Sequence, residues 1–326
     1  MPIFRTLAAA AVAGAMTVLA VASATAQSYP TKPVKVLIGF ASGGPTDLIG
    51  RIMAEHLSKT LGQPFVIESR PGASGVIAGQ ATATAAADGY TLNLVSFGII
   101  ATAKAMFDNM TYDPATAFAP VTVLVRSPLL LEVPSRLPVK TYAEFVTFAK
   151  ANSGKLNHAS PGAGTQAHLA TELFRAMIGF DSQHIAYRGN GPMSQGMMQG
   201  EPDWGFDTAL TALQLVKGNH VRLLAVATAS RWPEFPDVPT LKELGVSGAE
   251  WPNWFGLVAP AATPRPIVEK LAAEIAAGWK QDDNVAKLRT LGYEPWTMTP
   301  DETARFFAAE RERWTAVVKA NNIKAQ

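Results

Sequence analysis

The feature that most limits what this chain can become is a repeated order of elements: an apolar run, a glycine-rich turn, then an apolar helical stripe. Val34-Lys35-Val36-Leu37-Ile38-Gly39-Phe40 reads as a buried strand. The turn Phe40-Ala41-Ser42-Gly43-Gly44-Pro45-Thr46-Asp47 follows it. Leu48, Ile49, Ile52, Met53, Leu57 and Leu61 then fall at helical spacing up to Gly62. The same order returns far along the chain. Leu156-Asn157-His158 leads to Ser160-Pro161-Gly162-Ala163-Gly164-Thr165, and Leu169, Leu173, Phe174 and Met177 make the second stripe. Strands and helices alternate elsewhere too, with apolar runs at 121–125, 129–133, 221–226 and 254–258. A helix opens with capping-box spacing at Thr141 and Glu144. Alternation of this kind predicts an α/β architecture with parallel sheets. Ligands of open α/β sheets sit beyond the carboxyl ends of strands, so two such loops facing each other would make a cleft.

The first loop is a candidate anion seat. Glycines let a backbone approach a ligand closely, and a helix start presents unpaired N–H groups to negative charge. Asp47 or Thr46 is a good N-cap, with Arg51 one turn beyond Asp47. No G-x-G-x-x-G and no G-K-[ST] is present, which excludes the usual dinucleotide and Walker A loops. Neither glycine loop carries Lys or Arg, so an anion held there relies on N–H donors, helix dipoles and water.

The first residues read as an export signal and not as fold. Arg5 precedes an apolar stretch at 6–21, and Ala24-Thr25-Ala26 is a small-x-small cleavage site before Gln27. Removing Arg5 with this segment takes the formal charge from +2 to +1. Lys and Arg are scattered, so neither nucleic acid nor an anionic membrane is a predicted partner. The chain has no cysteine, which excludes disulfides and thiolate metal sites. The five histidines (His56, His158, His168, His184 and His220) lack metal-ligand spacing, and no G-x-S-x-G elbow occurs. The expectation is therefore no catalytic residue, no metal and no cofactor, with an exported hydrolase as the competing enzyme class.

Further motifs carry a resemblance to a known family. Tyr29-Pro30-x-Lys32-Pro33 precedes Phe40-x-x-Gly43-Gly44-x-x-Asp47. Glu68-x-Arg70-Pro71-Gly72-Ala73, Asp88-Gly89-Tyr90-Thr91-Leu92 and Phe118-Ala119-Pro120-Val121 follow in order. Ser160-x-Gly162-x-Gly164-Thr165-x-x-His168-Leu169, Tyr187-Arg188-Gly189, Phe206-Asp207 and Trp254-Phe255-Gly256-Leu257-Val258 complete the pattern. Their ordered sum resembles the tripartite tricarboxylate transporter receptors, also called Bug (Bordetella uptake gene) proteins, over essentially the whole mature chain.

The resemblance implies a two-lobed, clamshell-like periplasmic receptor of the type II binding-protein class. One lobe would comprise residues 27–127 and 248–326, the other 128–247, after a signal peptide over 1–26 cleaved near Ala26. It implies capture of a small aliphatic or aromatic carboxylate by a monomer, and delivery to a large and a small membrane subunit. A sensory receptor for a membrane signalling partner is the alternative. By motif position, Ser42, Gly43 and Gly44 would face the ligand, Phe40 would line the wall and Ser96 would give a hydroxyl. Gly164 and Thr165 would form the second seat, with Asp207 at the cleft floor. Asp47 is either a cap or a contact, and His168 either packs behind its loop or reaches the ligand. Arg188 is open between clamping a carboxylate and an ion pair. Phe97 stands where small or hydroxyl residues are common in the family. It either joins Phe40 and Tyr187 in an apolar slot or turns inward against the Ala-rich helix after Gly75.

Overall fold

In a computed structural model describing residues 29–107, 110–320 and 323, the apolar runs become two sheets. The strands are β1 (Val34–Ile38), β2 (Phe65–Ser69), β3 (Thr91–Ser96), β4 (Phe118–Ser127), β5 (Leu129–Pro134) and β6 (Leu156–Ser160). Then come β7 (Ser182–Ala186), β8 (Trp204–Thr208), β9 (Val221–Val226), β10 (Asn253–Pro260) and β11 (Glu294–Pro295). The first sheet runs β11-β4-β10-β3-β1-β2 and the second β7-β6-β8-β5-β9. The proposed signal segment lies outside the described residues. Among those described, no helix is long and apolar enough to cross a membrane.

Parallel sheets were expected, and the structure corrects this. Strand β1 is parallel to β2 and β3, and β6 to β7 and β8. However, β10 is antiparallel to both β3 and β4, and β5 to both β8 and β9. The cause is the path between sheets. The chain leaves the first sheet through β4, enters the second as β5, and returns as β10 beside the strand by which it left. Asn253 pairs with Ser127 at that crossing. The result is a mixed α/β clamshell with a paired-strand hinge.

The helices are α1 (Pro45–Leu61), α2 (Val76–Ala83), α3 (Ala103–Met106), α4 (Tyr142–Ala151), α5 (Gln166–Ile178) and α6 (Asn190–Gln199). The others are α7 (Ala209–Lys217), α8 (Arg265–Gly278), α9 (Asp282–Thr290) and α10 (Pro300–Ala320). The stripe of α1 packs Ile49, Met53 and Leu57 on Val36, Ile38 and Leu94. Each such side chain contributes about 1.5–3 kcal/mol on full burial. Gly62, at φ 72°, ends α1 with its N–H on Ser58 O. In the second lobe Phe174 of α5 packs on Phe145, Trp204 and Phe206. The Ala-rich helix after Gly75 ends at Ala83. A π-helical turn, Gly98–Thr102, follows Phe97 and was not anticipated.

Candidate functional site

The two glycine loops meet across one cavity of about 660 Å³ between the lobes. Phe40, Ser42, Gly43, Gly44 and Ser96 line it from the first lobe, as expected, and Thr165 from the second. Arg188 also reaches its wall and is the only charged residue there among the described residues.

Four helices begin at this wall. In the first loop, Gly44 is the N-cap of α1 and Pro45 its first residue. Asp47 is therefore not the cap, a correction to the reading of Asp47 or Thr46 as N-cap. Pro45 fills the first helical position, so the cap falls one residue earlier on Gly44. Asp47 sits at the third position, 2% exposed, where its Oδ2 accepts the Gly43 N–H (2.9 Å) and Arg51 Nε (3.0 Å). It holds the loop from behind. Gly43 lies at φ +86°, a conformation that favours glycine. The Gly43 N–H is thus given to Asp47, while Thr46 lines the cavity with its N–H in the first helical turn, where it has no intrahelical acceptor.

In the second loop the structure moves the seat by two residues. Gly164 does not line the cavity. Its N–H donates to His168 Nδ1 (3.0 Å) and its carbonyl accepts from Thr102 Oγ1 (2.9 Å), so both its polar groups are engaged. Thr165 caps α5, accepting the His168 N–H and donating to Gly162 O. Gln166 and Ala167 come next. Their N–H groups belong to the first turn, which has no intrahelical acceptor, and both residues line the cavity. They replace Gly164 as the expected donors. Their signal was present in the sequence: they are the first two residues after a threonine cap.

The other two helix starts were missed. Gly189, at φ 117°, precedes α6, and Thr208 precedes α7. Gly189, Asn190 and Thr208 all line the cavity. The turn Gly189-Asn190-Gly191-Pro192 carried the same glycine signature as the first two loops. Each helix start is equivalent to about half a positive charge, so the four converge on one anion-seeking space.

His168 lies behind the loop, 2% exposed, and not in the cavity. Its ring stacks on His184 with centroids 4.0 Å apart, and His184 stacks on His158 at 5.0 Å. Burial holds the His168 imidazole down at about 4 and His184 at about 3. His168 is thus neutral at physiological pH, and its Nδ1 stays an acceptor for Gly164.

Asp207 is also displaced from its expected place at the cleft floor. It is 0% exposed, one layer beneath the wall. Its Oδ1 accepts Asn190 Nδ2 and the Thr208 N–H, both at 2.7 Å, and so fixes two cavity residues. Its Oδ2 is buried without a partner, as are both oxygens of Glu132 on the adjacent strand. Burial pushes the Asp207 carboxyl up to about 6, against the opposing pull of the hydrogen bonds it accepts, and pushes the Glu132 carboxyl well above the usual range, where the nearby Asp207 charge raises it further.

The apolar slot does not form. Phe97 borders the cavity but is 1% exposed, its ring set edge-on against Trp254 (6.1 Å) and Trp314 (5.2 Å). It turns inward, but onto these tryptophans and not the Ala-rich helix. Tyr187 donates to Glu201 Oε2 (2.8 Å) and lines no part of the cavity. The apolar wall comes from Phe40, Leu129, Leu210, Phe255 and Leu291, with Tyr293 at the same end.

The comparisons agree with this arrangement. Residues 49–323 match the model of the tripartite tricarboxylate transporter family receptor. An R. palustris protein solved with adipate is 39% identical, with a TM-score of 0.86 over 90% of this chain and 99% of its own. The Rhodopseudomonas palustris protein MatC, solved with bound malate, is 34% identical, with a TM-score of 0.82 over 89% of this chain and 100% of its own. The periplasmic binding protein BugD is 30% identical, with a TM-score of 0.83 over 91% and 100%. With its two sheets, crossing hinge and four helix starts, this chain belongs to the tripartite tricarboxylate transporter receptor family, the Bug proteins.

Proposed function

We propose that this receptor captures a small dicarboxylate between its lobes, in the periplasm, for delivery to the large and small membrane subunits of a tripartite transporter. One observation carries the reading. Four helix N-termini face a cavity whose wall, among the described residues, holds Arg188 and no acidic side chain. N–H groups and helix dipoles of this kind bind carboxylates. Charge-assisted hydrogen bonds of about 1.5–3 kcal/mol each, several at once, are enough for micromolar affinity. The cavity is of a size suited to small-molecule ligands, and relatives hold adipate and malate. Gln166, Ala167 and Thr46 supply N–H donors, Ser42 and Ser96 hydroxyls, and Phe40 with Phe255 the apolar flank. Asp47, His168 and Asp207 brace the loops.

The same reading takes residues 27–127 with 248–326 as one lobe and 128–247 as the other. It takes the protein as a monomer, cleaved near Ala26 on export, and as a receptor without catalysis, like the family it belongs to. A thermal-shift screen of the mature protein against mono-, di- and tricarboxylates tests the ligand class. A ligand at about 100 times its Kd adds ~2.7 kcal/mol of stability. A shift with adipate or malate supports the reading, and no shift with any carboxylate overturns it.

A further inference from the structure

We propose that Ser74 and Thr102, which do not line the cavity, are positioning residues that latch the two lobes together over the ligand. Both sit on the first lobe and both reach across to consecutive carbonyls of the second lobe's glycine loop. Ser74 Oγ donates to Ala163 O at 2.6 Å, and Thr102 Oγ1 to Gly164 O at 2.9 Å. The loop they grip leads directly into Thr165, Gln166 and Ala167 at the start of α5. The latch therefore acts through the seat and rests on the carboxylate reading above.

Both hydroxyls are presented by unusual backbone. Gly72, Ala73, Ser74 and Gly75 all have positive φ, at 137°, 45°, 52° and 96°. Alanine and serine rarely adopt this region, and such conformations persist where surrounding packing holds them. Here a Cβ on Gly75 would meet Ile99 Cδ1 at 2.6 Å, so the turn is pressed against the first lobe. Thr102 ends the π-helical turn, fully buried, a geometry that often marks functional sites. Gly98 opens that turn, and a Cβ there would come within 3.1 Å of Gly164 O. A Cβ at that position would press the second loop back by a few tenths of an ångström. The first lobe thus turns a strained turn and a π-turn toward two carbonyls of the other lobe; the Thr102 hydroxyl lies closer to Gly164 O (2.9 Å) than to Gly98 O of its own turn (3.2 Å), and in an open form both loop carbonyls would face water instead.

Opening the cleft breaks both bonds, so removing either hydroxyl favours the open form and speeds ligand escape. One hydrogen bond corresponds to about a fivefold change in the closed-to-open ratio. The chain has no cysteine, so spin labels can be placed uniquely at exposed positions on the two lobes, as Val66→Cys and Met198→Cys. Pulsed electron resonance then reads the distance between lobes, and stopped flow reads adipate association and dissociation. Ser74→Ala and Thr102→Val should each lengthen the distance distribution and raise the dissociation rate about fivefold, with association unchanged. Thr102→Ser keeps the hydroxyl and should behave as wild type. An unchanged distance distribution and dissociation rate in both Ser74→Ala and Thr102→Val overturns the latch, as does a Thr102→Ser variant as open as Thr102→Val. Should the wild type bind no carboxylate, the carboxylate reading fails alone, and the label distances still decide the latch.

Discussion

Replacing Asp207 by Asn should make this protein more stable at neutral pH and leave it unchanged in acid. Asp207 is fully buried, with Oδ2 unpartnered and the equally buried Glu132 on the adjacent strand. Burial raises its carboxyl to about 6, from an ordinary value of 3.8. Roughly two pH units at 1.36 kcal/mol each is ~3 kcal/mol. The sign follows from proton binding. The folded state holds the proton more tightly than the unfolded chain. Its contribution is therefore fully present below pH ~4 and lost as pH rises through 6. Asn carries no charge to bury, and its Oδ1 still accepts the Thr208 N–H. Thermal melts from pH 4 to pH 8 measure the difference. Asp207→Asn should melt about 6 °C above wild type at pH 7.5, converging with it near pH 4. A variant destabilised equally at every pH would refute the reasoning, since it would mean that the ionised carboxylate is compensated in the folded state.

Asp47→Ala should lower stability by about 1–2 kcal/mol in urea unfolding and weaken ligand binding, because the Gly43 N–H and Arg51 both lose their acceptor. Wild-type affinity in that variant would count against its bracing role. Phe97→Ala should cost about 3–5 kcal/mol by opening a hole beside Trp254 and Trp314, without changing the preference between succinate and an aromatic dicarboxylate. Calorimetry showing a selective loss for the aromatic ligand would put the ring back in the cavity.

Much of the fold was readable because its strands are β-branched runs and its first helix an unbroken stripe from Leu48 to Leu61. Strand direction was not. Whether β10 runs with or against β3 depends on where the chain crosses between sheets, and nothing in Trp254-Phe255-Gly256-Leu257-Val258 encodes that. The glycine loops announced the cavity, and Phe40, Ser42, Gly43, Gly44, Ser96 and Thr165 do line it. Which backbone groups remain free was hidden. Gly164 is lost to the site because His168 and Thr102 take its N–H and carbonyl, and Thr102 belongs to the other lobe. Asp207 and Phe97 lie at strand ends close to the cavity, and only packing turns their side chains away from it. The grip of Ser74 on Ala163 joins residues that no local pattern connects.

The central claim is that backbone N–H groups at helix starts hold the carboxylate, and one pair of variants isolates such a group. Gln166 is the first residue of α5, and Thr165 before it lies at φ −70° and ψ 159°, a conformation compatible with a following proline. Gln166→Pro therefore deletes one N–H and preserves the helix, while Gln166→Ala removes only the side chain. Calorimetry with adipate should show Gln166→Ala close to wild type and Gln166→Pro about tenfold weaker or worse, with both folded as judged by circular dichroism. Equal adipate affinity in wild type, Gln166→Ala and Gln166→Pro would contradict the account.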